Sequence, residues 1–171
     1  MQGSGKSTQA KMLADKLKLP YIEMGQLLRD KSSDSDEVAE KIREALSVGK
    51  LVENQITIDA LKEKLKEPQF TNGYVLDGYP RNEQQVAKLD ADISKVFYIK
   101  VSDEEASRRL SNRGRHDDTP DLIRKRIDIY HQQTEPLLKH FKSDGLLEEI
   151  NGERKIEEVE KDLEARIRSL Q

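Results

Sequence analysis

Near the start of the chain, Gly3-Ser4-Gly5-Lys6-Ser7-Thr8 puts two glycines, a cation and three hydroxyls within six positions. Ahead of a helix, such a run turns successive backbone N–H groups toward phosphate oxygens. Its lysine then reaches the β- and γ-phosphates and a hydroxyl faces Mg²⁺. The full pattern needs a glycine five positions before Gly5, which falls one residue ahead of Met1. The competing reading is a flexible glycine- and serine-rich terminus. A second feature weighs against that. Asp77 ends the apolar run Gly73-Tyr74-Val75-Leu76, and Gly78-Tyr79-Pro80-Arg81 follows at once. A strand-end carboxylate can hold Mg²⁺, largely through water and together with Ser7, beside an arginine at the sheet's ligand edge. Taken singly, each residue reads more simply as a turn cap or a surface arginine.

The third feature is a cluster of Arg109, Arg113, Arg115, Arg124 and Arg126 within eighteen positions. Arginine offers phosphate oxygens a planar fork of donors, and transfer between two polyanions needs charge neutralised as the phosphoryl group moves. A solvated basic helix face is the alternative. Arg109 and Arg113 share a face at i,i+4, as do Asp118 and Leu122, so some of these make salt bridges, and Arg124 is assigned to that solvated face. His116, His131 and His140 lack metal-ligand spacing and read as surface residues.

These groups need a scaffold that brings them to one edge. Ala10, Leu13, Ala14 and Leu17 recur at helical spacing from Lys6 to Lys18, and Leu19-Pro20 ends that helix. Tyr21 to Met24 reads as a strand and Gly25 to Arg29 as the start of a second helix. After the polar connector Ser32 to Asp36, Val38, Ile42 and Ala45 lead a helix to Gly49. Ile56, Ile58, Leu61 and Leu65 lead another toward Pro68. Residues 73–77 and 96–101 are apolar runs expected to be buried parallel strands. A long helix is expected from Pro120 through Leu122, Ile123, Ile127, Tyr130 and Leu137, then a strand over Leu146 to Ile150. A last helix carries Ile156, Val159, Leu163, Ile167 and Leu170. Strands alternating with helices predict an α/β fold with a doubly wound parallel sheet that binds ligands at its carboxyl edge. The expected division is a core over 1–29 and 60–171, a helical insertion at 30–59 and a minimal lid at 110–118.

In this order and spacing the motifs resemble those of the adenylate kinase family, a group of P-loop nucleoside monophosphate kinases, over essentially the whole chain. The resemblance rests on Gly3 to Thr8, Gly25-Gln26-Leu27-Leu28-Arg29, Leu76 to Arg81, and Arg115-His116-Asp117-Asp118 leading to Arg124-Lys125-Arg126. It implies reversible transfer of the ATP γ-phosphoryl group to AMP, giving two ADP, with Mg²⁺ as cofactor. It further implies that Gly3, Ser4, Gly5, Lys6, Ser7, Thr8 and Arg109 bind ATP. Gly25, Arg29, Lys50, Leu51, Val52, Gly78, Arg81 and Gln85 would form the AMP site, with Gln85 reading the adenine edge. Lys6, Arg81, Arg109, Arg113, Arg115 and Arg126 would be catalytic, and Asp77 and Ser7 would face the metal. Three departures from the family pattern stand out. Met24 replaces a Ser or Thr and Gln26 an Asp, only Gly114 separates Arg113 from Arg115 where the family has a lid loop, and the strand feeding the phosphate loop is missing. The chain is therefore expected to be a truncation, such as a start codon called too late, and unstable or nearly inactive.

The rival readings are a kinase for CMP, UMP or a small alcohol, and a catalytically silent nucleotide-binding protein. Charged residues make up 37% of the 171 and the net charge is −3, so a general affinity for nucleic acid or anionic membranes is not indicated. The absence of cysteine excludes disulfides and thiolate metal sites. With no apolar run of membrane-spanning length, the expectation is a cytoplasmic monomer whose partners are small nucleotides.

Overall fold

The computed structural model describes residues 1–89, 93–115 and 118–168. His116, Asp117 and Leu170, all used in the reading above, lie outside the described residues. Helix α1 (Lys6–Leu17) starts from Gly5, whose φ of 85° suits a residue without a Cβ. It ends where the Lys18 N–H turns back to the carbonyls of Ala14 and Asp15. Strand β1 (Tyr21–Glu23) runs directly into α2 (Met24–Lys31). Helix α3 (Glu37–Ser47) is capped by Asp36, which accepts from the Ala39 N–H at 2.7 Å. Helix α4 (Asn54–Leu65) continues through residue 59, the expected end of the insertion. A short 3₁₀ turn (Pro68–Phe70) leads to β2 (Val75–Asp77), followed by α5 (Glu83–Val86) and β3 (Val96–Lys100).

Helix α6 (Asp103–Arg113) has Ser102 as its N-cap and Gly114, at φ 72°, as its stop. Helix α7 (Pro120–Ile129) has Thr119 as its N-cap. The long helix expected from Pro120 to Leu137 is broken. It passes through a π turn (Tyr130–Thr134) and resumes as α8 (Leu137–Ser143). Pro136 lacks the N–H that regular continuation would use, and its ring crowds the preceding turn, which explains the widening. Strand β4 (Leu147–Asn151) and α9 (Ile156–Arg168) complete the described chain.

The strands are parallel, as the α/β reading requires, but they form two separate pairs. β1 pairs with β2 in the register Tyr21–Val75, Ile22–Leu76 and Glu23–Asp77, and β3 pairs with β4 from Val96–Leu147 to Lys100–Asn151. Among the described residues no strand lies between β2 and β3. A cavity of about 830 Å³ lies there, lined by Met1 and Gln2, by Leu13 and Leu17 of α1, and by Val75, Leu76 and Val96 to Ile99. This corrects the expectation of buried central strands. Val75, Leu76, Val96, Phe97 and Tyr98 are only half-buried, because each strand has one paired edge and one that borders the cavity.

The apolar core divides in the same way. Ile22, Met24 and Leu28 pack with Ile42, Val52, Ile58 and Leu61, so β1, α2 and the helices of 30–59 share one core. Ile99, Ile150, Val159 and Leu163 form a second around β3, β4 and α9. Leu110, Ile123 and Ile127 join α6 to α7. On α3, Ile42 is fully buried and Ala45 packs against the core as expected, whereas Val38 is 43% exposed and Ala39 is buried instead. Ile156, at the open start of α9, is likewise exposed.

Candidate active site

The carboxyl ends of β1 and β2 and the start of α1 converge, and the phosphate-type loop lies against them. Gly3, at φ 78°, passes so close to α6 that a Cβ there would lie 2.6 Å from the Ala106 carbonyl oxygen. The loop therefore tolerates no side chain at that position. Ser4 is buried, its hydroxyl donating to the Met1 carbonyl at 3.0 Å. Thr8 is exposed on the first turn of α1. At the helix start, Lys6 Nζ stands 3.5 Å from Asp77 Oδ1, and Ser7 Oγ donates to Asp77 Oδ2 at 2.5 Å. Withdrawal from solvent holds the Lys6 ammonium below the usual lysine range, and the Asp77 carboxylate opposes that shift.

Asp77 is buried at the end of β2 and receives a further hydrogen bond from Tyr21 Oη at 3.1 Å. Burial, and then the facing Asp77 carboxylate, push the Tyr21 hydroxyl well above its usual range, so it stays a donor. A hydroxyl and a carboxylate in contact form a hard, all-oxygen donor pair that suits Mg²⁺ completed by phosphate oxygens and water. No cluster of three or more His, Cys, Asp or Glu side chains placed for a metal occurs among the described residues.

The second wall of the cleft is cationic. Arg81 is fixed through its backbone, whose N–H donates to Gln85 Oε1 at 2.7 Å and whose carbonyl accepts from Thr134 Oγ1 at 2.8 Å. Its Nε donates to the Gly78 carbonyl at 2.7 Å, and Arg81 lines both this cleft and the cavity between β2 and β3. Gly78, at φ 81°, makes this fold-back possible. The Tyr79–Pro80 peptide bond is cis. Opposite, Arg29 of α2 is held by Gln26 and Glu23.

Arg113 and Arg126 reach in from α6 and α7 and share Asp118. Arg113 Nε and Nη2 donate to its two oxygens at 2.8 and 2.7 Å, and Arg126 Nη1 donates to Oδ1 at 3.0 Å. Burial alone would raise the Asp118 carboxyl, but the two guanidinia hold it below its usual range. A cleft of about 120 Å³ is lined by Lys6, Ser7, Gly25, Arg29, Lys50, Leu51 and Val52 from the first third of the chain. Asp77, Gly78, Arg81, Gln85, Arg113, Arg115 and Arg126 complete it.

Arg109 stands apart from that cleft. It braces the loop from behind, donating to the carbonyls of Ser4 at 3.3 Å and Gly152 at 2.9 Å and to Glu105 at 2.6 Å. Together Arg108 and Arg109 hold the Glu105 carboxyl down at about 2. Arg124 is exposed on α7, as assigned, and His131 and His140 pair with acids away from the cleft. Asp118 precedes α7 instead of sharing a helical face with Leu122, so its pairing with Arg113 is a loop contact. Tyr21 and Glu23 were missed by sequence reasoning. Their signal was position, since both occupy a short strand whose end must lie beside Asp77.

A glycine loop opening a helix, a lysine and hydroxyl at a strand-end acid, and converging arginines define a P-loop phosphotransferase. The adenylate kinase family model matches residues 1–146. The chain is 35% identical to the adenylate kinase of Nocardia farcinica, over 92% of this chain and 90% of that protein. It is 34% identical to adenylate kinase 1 of a Nostoc species and to the adenylate kinase of Methanocella arvoryzae, each over 98% of this chain and 95% of the relative. The chain belongs to the adenylate kinase family, and is thus a phosphotransferase of the nucleoside monophosphate kinase type. No described helix is long and apolar enough to cross a membrane.

Proposed function

We propose that this chain transfers the γ-phosphoryl group of ATP directly to a phosphate oxygen of AMP, giving two ADP. The observation that carries the reading is the cleft itself. Lys6 and the Ser7–Asp77 pair form one wall, and Arg29, Arg81, Arg113, Arg115 and Arg126 line the rest. In this reading the loop from Gly3 to Thr8 receives the ATP phosphates on backbone N–H groups, and Lys6 follows the γ-phosphoryl as it moves. Arg29 and Arg81 grip the acceptor phosphate, and Arg113, Arg115 and Arg126 balance the charge between the two nucleotides. Arg109 acts from outside by bracing the loop.

The attacking oxygen is already anionic, so no general base is needed, and neither His131 nor His140 lines the cleft. Bound at Ser7 and Asp77, Mg²⁺ would neutralise phosphate charge and orient the polyphosphate. Gly25, Lys50, Leu51 and Val52 enclose the acceptor nucleoside. Gln85, whose Nε2 donates once to Asn54 Oδ1 at 3.0 Å, has a second N–H for the base edge. Residues 30–59 form the segment that closes over the acceptor, and 110–118 serve as a minimal lid over the donor. The reading is of a monomer in the cytoplasm, where both substrates occur.

The test is an acceptor screen with ATP and Mg²⁺ against AMP, CMP, UMP and GMP, followed as diphosphate formed. AMP is expected to be used far better than the other three. Preference for CMP or UMP would move the chain to another acceptor, and no diphosphate from any of them would make it a silent binder.

A further inference from the structure

The acceptor side of the cleft contains an acid for which the transfer reaction has no use. Glu23 ends β1 in register with Asp77, so both carboxylates stand at one sheet edge. Asp77 is engaged by Ser7, Tyr21 and Lys6, whereas Glu23 turns to Arg29 and accepts from its Nη2 at 3.2 Å. Gln26 Oε1 accepts from Arg29 Nε at 3.1 Å and from the same Nη2 at 2.8 Å. Two oxygens therefore face the Nε–Nη2 edge of the guanidinium, one of the edges through which arginine makes a two-point grip on an oxyanion.

The Glu23 and Arg29 side chains are 27% and 33% exposed, so this is an exchangeable contact and not a locked internal pair. The Glu23 charge also acts beyond Arg29. Withdrawal from solvent depresses the Lys6, Arg81 and Arg115 cations, and Glu23 is among the acids that oppose it.

We propose that the Glu23 carboxylate occupies the acceptor-phosphate position on Arg29 as an internal competitor, which a monophosphate must displace and which sets the site's affinity for it. The inference rests on the reading of Arg29 as an acceptor-phosphate ligand. Its physical basis is like-charge repulsion, because a phosphate dianion on Arg29 and Arg81 would meet a carboxylate at close range in a partly desolvated cleft. The consequence is a lower affinity for every phosphate anion at Arg29, so that one without nucleoside contacts to compensate is held only weakly.

The experiment is calorimetric titration of the folded protein with AMP, inorganic phosphate and adenosine, at low ionic strength. Glu23→Gln keeps the size and the carbonyl acceptor but removes the charge. It is expected to tighten AMP by roughly five- to tenfold, the scale of one partly exposed charge contact, to tighten phosphate similarly and to leave adenosine unchanged. Glu23→Ser, which deletes the group, should shift AMP in the same direction. Unchanged or weaker AMP binding in both variants would overturn the proposal, since Glu23 would then only position Arg29. A larger effect on adenosine than on AMP would also overturn it, by making the carboxylate a nucleoside ligand. Arg29→Ala separates the two levels. If it weakens AMP while Glu23→Gln does not tighten it, only the competitor fails, and if Arg29→Ala leaves AMP unaltered, the reading of Arg29 fails as well.

Discussion

Arg81 is anchored at its backbone N–H, its carbonyl and its Nε before any ligand arrives. Preorganisation of this kind lowers the cost of orienting a charged donor during transfer. Lysine cannot reproduce it, because a point charge on a flexible stem lacks both the Nε contact to Gly78 and the remaining planar fork. Arg81→Lys is expected to cost at least about 2 kcal/mol in transition-state stabilisation, roughly thirtyfold in kcat/KM for AMP. Steady-state kinetics checks it, and a loss of only a few-fold would remove Arg81 from the acceptor grip. Arg81 was legible from its place four residues after a strand-end acid. The clamps that aim it were not, because Gln85 and Thr134 reach it through side-chain contacts to backbone that leave no pattern in spacing. Glu23 and Tyr21 were hidden for a related reason. A three-residue strand is too short for alternation to show which side chains meet the neighbouring acid.

At the scale of elements, helices such as α1 and α9 were legible because apolar periodicity is a local signal, whereas the caps at Asp36, Ser102 and Thr119 and the stop at Gly114 emerge only from the structure. The π turn was not legible, since Pro136 announces an interruption but not its form. That turn is tied to the start of α6 by His131, whose Nδ1 lies 2.7 Å from Glu135 Oε2 and whose Nε2 lies 3.0 Å from both oxygens of Asp103. The Glu135 hydrogen bond raises the His131 pKa, burial opposes it as the next largest effect, and the Asp103 carboxylate adds to the rise, which prevails. A raised folded-state pKa means the stabilisation is fully present below the ordinary histidine value near about 6.5 and is lost as pH rises through the higher folded value. The lowering of Tm by His131→Ala is therefore expected to be larger at about pH 5.5 than at about pH 9. Paired melts at the two pH values check it. An equal loss at both would mean that the imidazole contributes packing alone.

For the whole molecule, the division of strands and core into two parts follows from what lies between β2 and β3. The cavity of about 830 Å³ is bordered by strand edges on two sides and by apolar side chains of α1 and α9. Parallel order and the α/β class were legible because strands and helices alternate along the chain. How the strands partition was only partly so, since pairing is a long-range choice that local patterns do not encode. A run of roughly six to eight Val- and Ile-rich residues and a glycine placed directly ahead of Met1 is the length of an ordinary strand. Met1 and Gln2 line the cavity, so such an extension enters it directly. Each buried side chain contributes about 1.5–3 kcal/mol, and the strand would pair the open edges of β2 and β3. The extended chain is expected to melt at clearly higher temperature and to form ADP faster than the 171-residue chain. Equal melting and equal rates side by side would show that the cavity is neutral to the fold.

The most direct test of the central claim follows the phosphoryl group itself. The chain is incubated with Mg²⁺, AMP and ATP labelled at the γ-phosphate, and the label is traced among nucleotides, inorganic phosphate and protein. Direct transfer through the Lys6–Asp77–Arg81 cleft predicts label in the β-phosphate of ADP made from AMP, with none retained on the protein at any time. Label that appears on the protein, or only in inorganic phosphate while AMP stays unchanged, would contradict it.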